Sequence, residues 1–148
     1  MSEDDPLGLR RFLLAQDGIY GTALTELRSG RKRSHWMWFV FPQIEGLGSS
    51  PLAQRYAIGS LAEAEAYLRH PILGPRLVEC AEAVLAVTGR SAHEIFGSPD
   101  DVKLRSSATL FAAACPAGSV FDRLLDRYFA GERDQATLRR LGSVSPAA

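Results

Sequence analysis

The sequence predicts an all-α fold, a compact single-domain bundle of short helices. Apolar residues recur at the three- and four-residue spacing of amphipathic helices, and helix start signals precede several of these stretches. No strand-turn-strand pattern and no alternation of strands with helices is present along the 148 residues. A chain of this length fits one domain. We therefore expect one helical domain over residues 1–148, with frayed ends at about residues 1–5 and 142–148.

Two helices, or one helix with a bend, are predicted at the start of the chain. Residues 7–16 follow Pro6 and carry apolar side chains at helical spacing, and an Asp-Gly pair ends the stretch. Residues 20–28 repeat the pattern, and Gly30 follows them as a glycine follows many helix C-termini.

The aromatic run at residues 35–41, HWMWFVF, is the one segment whose conformation the pattern leaves open. Propensity favours a strand, but a short buried helix is equally consistent, because so brief a run has no readable period. Pro42 ends either element, and the glycines, serines and proline of residues 44–51 predict a loop.

Helix start signals are clearer beyond the loop at residues 44–51. Serine and glutamate have the spacing of a capping box at Ser60 and Glu63 and again at Ser91 and Glu94. Pro75 opens a helix that carries an apolar stripe. Ser98, Pro99 and two aspartates begin a helix that we expect to extend to about residue 114, and residues 120–128 and 135–141 supply the last helices.

Charge and composition exclude several classes of protein. The 17 basic and 17 acidic side chains cancel, which argues against a dedicated nucleic-acid binder. The acidic N-terminus is unlike a secretory signal, and no stretch has the roughly 20 apolar residues of a membrane span. Neither the two cysteines nor the three histidines have metal-ligand spacing. We therefore expect a cytoplasmic protein with reduced thiols, no membrane association, no metal and no cofactor.

A basic run directly precedes the aromatic run. Arg31, Lys32 and Arg33 stand just before Trp36 and Trp38, and cationic side chains beside aromatic rings suit a ligand with a phosphate and a ring, such as a nucleotide. Two other interpretations stay open. The cations can be a solvated loop after a helix C-terminus, and the rings can be core.

We expect a ligand-binding cleft in which the tryptophans stack on a ring, the arginines meet an anionic group and polar side chains orient the ligand. The candidate ligand-binding residues are Arg31, Arg33, His35, Trp36, Trp38, Gln43 and Lys103. Asp101 is a further orienting residue. Glu45 and Asp101 are the candidate general acids or bases if the protein is an enzyme. The alternative interpretations are a loop carboxylate in water for Glu45 and, on the next helix start, an ion pair between Asp100 and Lys103, which share one helix face with Ser107.

Residues 35–48, 70–77 and 96–107 resemble a known family. They read HWMWFVFPQIEGLG, HPILGPRL and FGSPDDVKLRSS, and they are similar to a bacterial all-α family of unknown function typified by a mycobacterial conserved hypothetical protein. The resemblance implies a compact helical fold and favours a helix for the aromatic run, and it implies no activity or cofactor. Members often carry the label calpastatin by automated transfer. We reject that label, because a calpain inhibitor is a long disordered repeat protein, whereas this chain has the apolar content and caps of a folded domain.

The leading hypothesis is a small helical protein of uncharacterised function with a cleft for a small anionic ligand. One alternative is a hydrolase of the N-glycosidase type acting on a nucleotide or ribosylated metabolite, by a loose analogy of fold. The other is a protein–protein interaction module with an exposed apolar patch. The sequence does not indicate the oligomeric state.

Overall fold

The computed structural model describes residues 5–142, and within this range the chain forms ten α-helices and no strand. The all-α prediction is confirmed. The expected frayed ends lie mostly outside the described residues. The helices are α1 (Arg10–Gln16), α2 (Tyr20–Arg28), α3 (Met37–Val40), α4 (Pro51–Arg55), α5 (Leu61–Arg69), α6 (Leu73–Ala86), α7 (Ala92–Phe96), α8 (Asp100–Ala113), α9 (Val120–Phe129) and α10 (Gln135–Gly142).

The two predicted capping boxes form to different extents. Ser91 and Glu94 make the reciprocal pair of side chain to backbone hydrogen bonds. Ser60 caps α5 by accepting from the N–H of Glu63 at 3.1 Å. The reciprocal bond predicted there is wrong, because the Glu63 carboxylate accepts from the N–H of Gly59 at 2.9 Å instead.

Several helix boundaries differ from the pattern. Helix α6 begins at Leu73, two residues before Pro75, and α8 begins at Asp100, with Pro99 and not Ser98 at the N-cap and no side-chain hydrogen bond there. The first helix begins at Arg10 rather than near residue 7, because the Asp5 carboxylate accepts from the N–H groups of Leu9 and Arg10 and holds the preceding residues in a turn. The short helix α4 was not predicted. Its N-cap, Ser50, accepts from the N–H of Ala53 at 3.1 Å, and a proline at the first helical position follows the cap.

A chain of aromatic rings crosses the core and joins four helices. The ring centroids of Phe12 and Tyr67 are 5.1 Å apart, those of Tyr67 and Phe111 are 5.4 Å apart, and those of Phe111 and Phe121 are 5.6 Å apart. These residues belong to α1, α5, α8 and α9 and are fully buried. Contacts between rings at these distances add to the stabilisation from the buried area.

The aromatic run is a short helix, α3, flanked by turns. Trp36, Met37, Val40 and Phe41 are buried, whereas Trp38 and its neighbour on the C-terminal side are only partly covered. This alternation in groups follows the period of a helix and not that of a strand. The segment left open by the sequence is therefore helical, and its inward face packs on the core.

Candidate functional site

Both lysines and both tryptophans of the chain meet around Asp100. The Lys32 Nζ lies 2.8 Å from Asp100 Oδ2 and 5.0 Å from the centroid of the Trp36 ring. The Lys103 Nζ lies 3.6 Å from Asp100 Oδ1 and 4.9 Å from the centroid of the Trp38 ring. We call these five residues the lysine–tryptophan cluster. Each ammonium group is thus attracted both by the shared carboxylate and by the face of an indole.

The two lysines of the cluster differ in exposure and in hydrogen bonding. The Lys32 side chain is 6% exposed, and its ammonium group also donates to the carbonyl oxygen of Ser34. The Lys103 side chain is 24% exposed, and its contact with Asp100 is longer than a hydrogen bond. Among residues 5–142, no protein group accepts a hydrogen bond from the Lys103 ammonium. Lys103 is therefore the cation of the cluster that can still donate to another molecule.

A buried carboxylate, Glu26 of α2, holds the loop that enters the cluster. Its Oε1 accepts from the N–H groups of Arg33 at 2.8 Å and Ser34 at 3.0 Å and from the indole N–H of Trp36 at 2.9 Å. Its Oε2 accepts from the Ser34 hydroxyl. Burial by itself raises the pKa of Glu26, but these hydrogen bonds outweigh it and lower that pKa to about 2. The loop is therefore tied to an ionised side chain.

The basic side chains of this loop point to solvent. Arg31, Arg33 and His35 are exposed, while the N–H of Lys32 donates to the carbonyl of Ile95 at 2.7 Å and fixes the loop against α7. Arg33 also lines an open concavity of about 700 Å³, together with Glu26 and residues on the outer side of α2. Because the loop backbone is already fixed beside the cluster, it loses little conformational entropy when a ligand binds.

The structure brings only some of the predicted ligand-binding residues together. Trp38 and Lys103 are in contact, and the loop residues flank Lys32. Trp36 is 0% exposed, so neither face of its ring can stack on a ligand in this conformation. Gln43 is half-buried, and its backbone carbonyl oxygen accepts from the N–H of Ile58 at 2.8 Å.

The two candidate acids or bases lie in different surroundings. Asp101 Oδ2 is 3.4 Å from the Nδ1 of His93, and its Oδ1 accepts from the N–H of Val102 at 2.8 Å. Glu45 is exposed and lines a cavity of about 190 Å³ whose wall includes Arg140. No residue of the lysine–tryptophan cluster lines that cavity. Asp101 does not line that cavity either.

Sequence reasoning did not assign a role to Glu26. Lys32 belongs to the basic run and Asp100 to the helix face predicted to carry an ion pair with Lys103, but neither is among the candidate ligand-binding residues. A compositional signal was available for the lysines, because the chain's 17 basic residues include only two lysines, Lys32 and Lys103. No signal singles out Glu26, since one glutamate in an amphipathic helix is ordinary. Its partners follow it by 7 to 10 residues and reach it only because the chain turns back after α2.

Two further searches concern metals and membranes. Within residues 5–142, no three or more His, Cys, Asp or Glu side chains are grouped so that they could hold a metal ion. In the same range, no helix has both the length and the apolar character needed to span a bilayer.

Comparisons with known proteins identify the family. The family model described as a protein of unknown function, DUF1810, matches residues 6–141. The crystal structure of the conserved hypothetical protein Rv1873 from Mycobacterium tuberculosis is similar, with 58% sequence identity and a TM-score of 0.92. The match covers 93% of this chain and 99% of that one. Curated proteins give no match. The chain belongs to the DUF1810 family, whose function is unknown.

Proposed function

We propose that the protein binds a small anionic ligand, bearing a phosphate or a nucleotide, at the lysine–tryptophan cluster. The observation that carries the proposal is the state of Lys103. Its ammonium group is partly exposed and held over the Trp38 ring, and no described protein group accepts a hydrogen bond from it. A charged donor held in place and left without an acceptor suits a phosphate oxygen, because hydrogen bonds between ionised groups are among the strongest in proteins.

The charge around the cluster supports an anion. Two lysines face the single carboxylate of Asp100, so the cluster is positive. Arg31 and Arg33 flank Lys32 in the chain and are exposed, which adds to the positive potential at the surface. Glu26 contributes an opposing negative charge, which the dipoles of its four hydrogen-bond donors partly offset.

The exposed indole gives the proposal a place for a ring. Trp38 is half-buried, and Lys103 covers part of one face. We assign stacking to the uncovered surface of Trp38, and we assign Trp36 the supporting role of a core residue. His35 and Gln43 complete the proposed set as hydrogen-bond partners of the ligand.

Nuclear magnetic resonance of the two indole N–H groups tests this assignment. Adenosine monophosphate, adenosine and inorganic phosphate are titrated into the ¹⁵N-labelled protein. We expect a saturable shift of the Trp38 signal with the monophosphate, and a much smaller shift of the Trp36 signal, which is hydrogen-bonded to Glu26. Lys103→Met should remove the response, whereas Arg123→Met, which removes an exposed charge on α9, should leave it intact.

Amine acylation read by mass spectrometry gives a second readout. The chain has two lysines, so each modified peptide is assigned without ambiguity. Lys103 should react faster than the shielded Lys32, and adenosine monophosphate or phosphate should slow the reaction at Lys103. If millimolar concentrations of all three probes change neither the indole signals nor the acylation rate, the proposal is wrong.

The same samples test the hydrolase alternative. Asp101 adjoins Asp100 in the first turn of α8, which makes its carboxyl the candidate acid or base nearest to the cluster in the chain. An N-glycosidase would release adenine from adenosine monophosphate, and Asp101→Asn would abolish the release. Chromatography that finds the nucleotide intact after prolonged incubation would favour binding without hydrolysis.

A further inference from the structure

We infer that Lys32 is a positioning residue for this site: it holds the charge of Asp100 and thereby leaves Lys103 free for the anion. The inference rests on the proposed function. The two oxygens of Asp100 are used unequally, since Oδ2 is 2.8 Å from the Lys32 ammonium and Oδ1 is 3.6 Å from the Lys103 ammonium. The carboxylate thus has one close cation and one distant cation.

Lys32 acts through Asp100 and not by touching the ligand. Its side chain is almost completely covered, and its ammonium group faces Asp100, the carbonyl of Ser34 and the ring of Trp36. The ammonium group of Lys32 is therefore already paired with protein groups and is not available to a ligand. The backbone of the same residue is fixed to Ile95, so the side chain enters the cluster from a rigid segment.

Removal of Lys32 would change the partner of Asp100. The Asp100 side chain is 19% exposed, and a poorly solvated carboxylate without a cation is costly. Lys103 lies three residues further along the same helix, within reach of a close ion pair. Without Lys32, Lys103 would move from the Trp38 ring to Asp100 and donate there. The anion would then have to compete with Asp100 for Lys103.

Four proteins measured by titration calorimetry with adenosine monophosphate test the inference: the parent, Lys32→Met, Asp100→Asn and the double variant. We expect Lys32→Met to weaken binding roughly tenfold and Asp100→Asn to tighten it by about threefold. Changes of this size correspond to the coupling energies measured between residues in contact. The double variant should bind within about threefold of the parent, because the carboxylate that captures Lys103 is gone. Lys32→Arg keeps the charge and should retain most of the affinity.

The sign of the Asp100→Asn effect separates positioning from a structural role. If Lys32 and Asp100 only stabilised the fold, each single variant would lose affinity in step with its Tm, and Asp100→Asn would not tighten binding. Should Lys32→Met fail to fold, the Asp100→Asn and double variants still decide the matter. Weaker binding by Asp100→Asn, or unchanged binding by a folded Lys32→Met, overturns the inference.

The proposed function fails differently. Absence of binding by the parent, or undiminished binding by Lys103→Met, removes the site itself. Binding that needs Lys103 but is indifferent to Lys32 and Asp100 keeps the site and removes only the positioning role.

Discussion

At the scale of single residues, a buried glutamate holds the loop that leads into the candidate site. Glu26 accepts four hydrogen bonds from residues 33–36. These residues directly follow Lys32, so Glu26 fixes the loop from which the Lys32 side chain contacts Asp100. Such a group is stabilising only while it is ionised, because a protonated carboxyl loses much of its capacity to accept.

The low pKa of Glu26 predicts a pH dependence of stability. Its folded-state pKa of about 2 lies below the ordinary value of 4.5, so its contribution is complete above pH 4.5 and is lost as the pH falls toward 2. We expect Glu26→Gln to lower the free energy of unfolding by roughly 2–3 kcal/mol at pH 7 and by much less at pH 2.

Urea unfolding at several pH values measures this difference. Glu94→Gln in the capping box of α7 is the matched control, since this exposed glutamate also has a lowered pKa but stands at a helix end on the surface. A Glu26→Gln deficit that stays constant from pH 7 to pH 2 would contradict the prediction.

At the scale of helices, the entry to α5 is held by a single guanidinium group. Arg11 of α1 donates to the carbonyls of Arg55 at 2.8 Å and Ala57 at 2.7 Å, and it forms an ion pair with Glu63 at 2.9 Å. It also donates to two carbonyls of the turn before α1. The fork of N–H groups therefore joins the turn before α1 to acceptors that lie 44 to 52 residues further along the chain.

Replacement of this arginine by lysine should be costly although the charge is kept. An ammonium group cannot reproduce the planar fork, so several carbonyls lose their donor, and we expect Arg11→Lys to destabilise the protein by about 1–3 kcal/mol. Arg10→Lys, at the exposed neighbouring position, should change the free energy of unfolding by less than about 0.5 kcal/mol. Equal Tm values for the two variants would show that the hydrogen bonds of the Arg11 guanidinium group do not contribute to the stability of the protein.

The contact between α5 and α6 requires a glycine. A Cβ at Gly74 would lie 2.1 Å from the carbonyl oxygen of Leu68, which is backbone and cannot move aside cheaply. We expect Gly74→Ala to destabilise the protein by about 3 kcal/mol, at the upper end of overpacking effects. Gly21 of α2 has nothing within 4 Å of its Cβ position, so Gly21→Ala should stabilise the helix by about 0.5–1 kcal/mol. Thermal unfolding should give a lower Tm for Gly74→Ala, where the added methyl group clashes, and a higher Tm for Gly21→Ala, where it has space.

At the scale of the whole molecule, the aromatic rings of the core connect helices from both ends of the described chain. Phe111 of α8 contacts Tyr67 of α5 and Phe121 of α9, and Tyr67 in turn contacts Phe12 of α1. The same α8 supplies Asp100 and Lys103 to the candidate site. The core and the site therefore share one rigid element, which fixes the charged cluster in place.

Unfolding of residues 5–142 should be cooperative. We expect Phe111→Ala to lower the free energy of unfolding by about 3–5 kcal/mol, because it leaves a cavity between three helices. Far-ultraviolet circular dichroism and tryptophan fluorescence should follow one transition with the same midpoint, in the variant as in the parent. Val102→Ala, at an exposed position of the same helix, is the control. Two separate transitions would contradict the predicted single domain.

Several of the helices begin where local sequence determines it. Ser91, with a glutamate three residues later, and Ser119, before an apolar stripe, set helix starts with hydrogen bonds that involve only near neighbours. Amphipathic spacing decided the inward face of a helix such as α9, whose buried residues are all apolar. Helix α8 differs, because it buries Ser106, Ser107 and Thr109 together with its apolar side chains. The capping and spacing signals do not depend on residues far away in the sequence, and they predict the all-α fold class.

The conformation of the aromatic run and the identity of the site depended on distant contacts. Trp36 and Trp38 have the same chemistry and nearly the same position in the chain, yet the first bonds to Glu26 within the core and the second lies beside Lys103 at the surface. Two lysines far apart in sequence meet at one aspartate only because α8 packs beside the loop after α2. The sequence alone determined that aromatic and basic groups are adjacent along the chain. Which of them are buried and which remain available to a ligand was decided by tertiary packing, because burial and electrostatic pairing depend on neighbours in space.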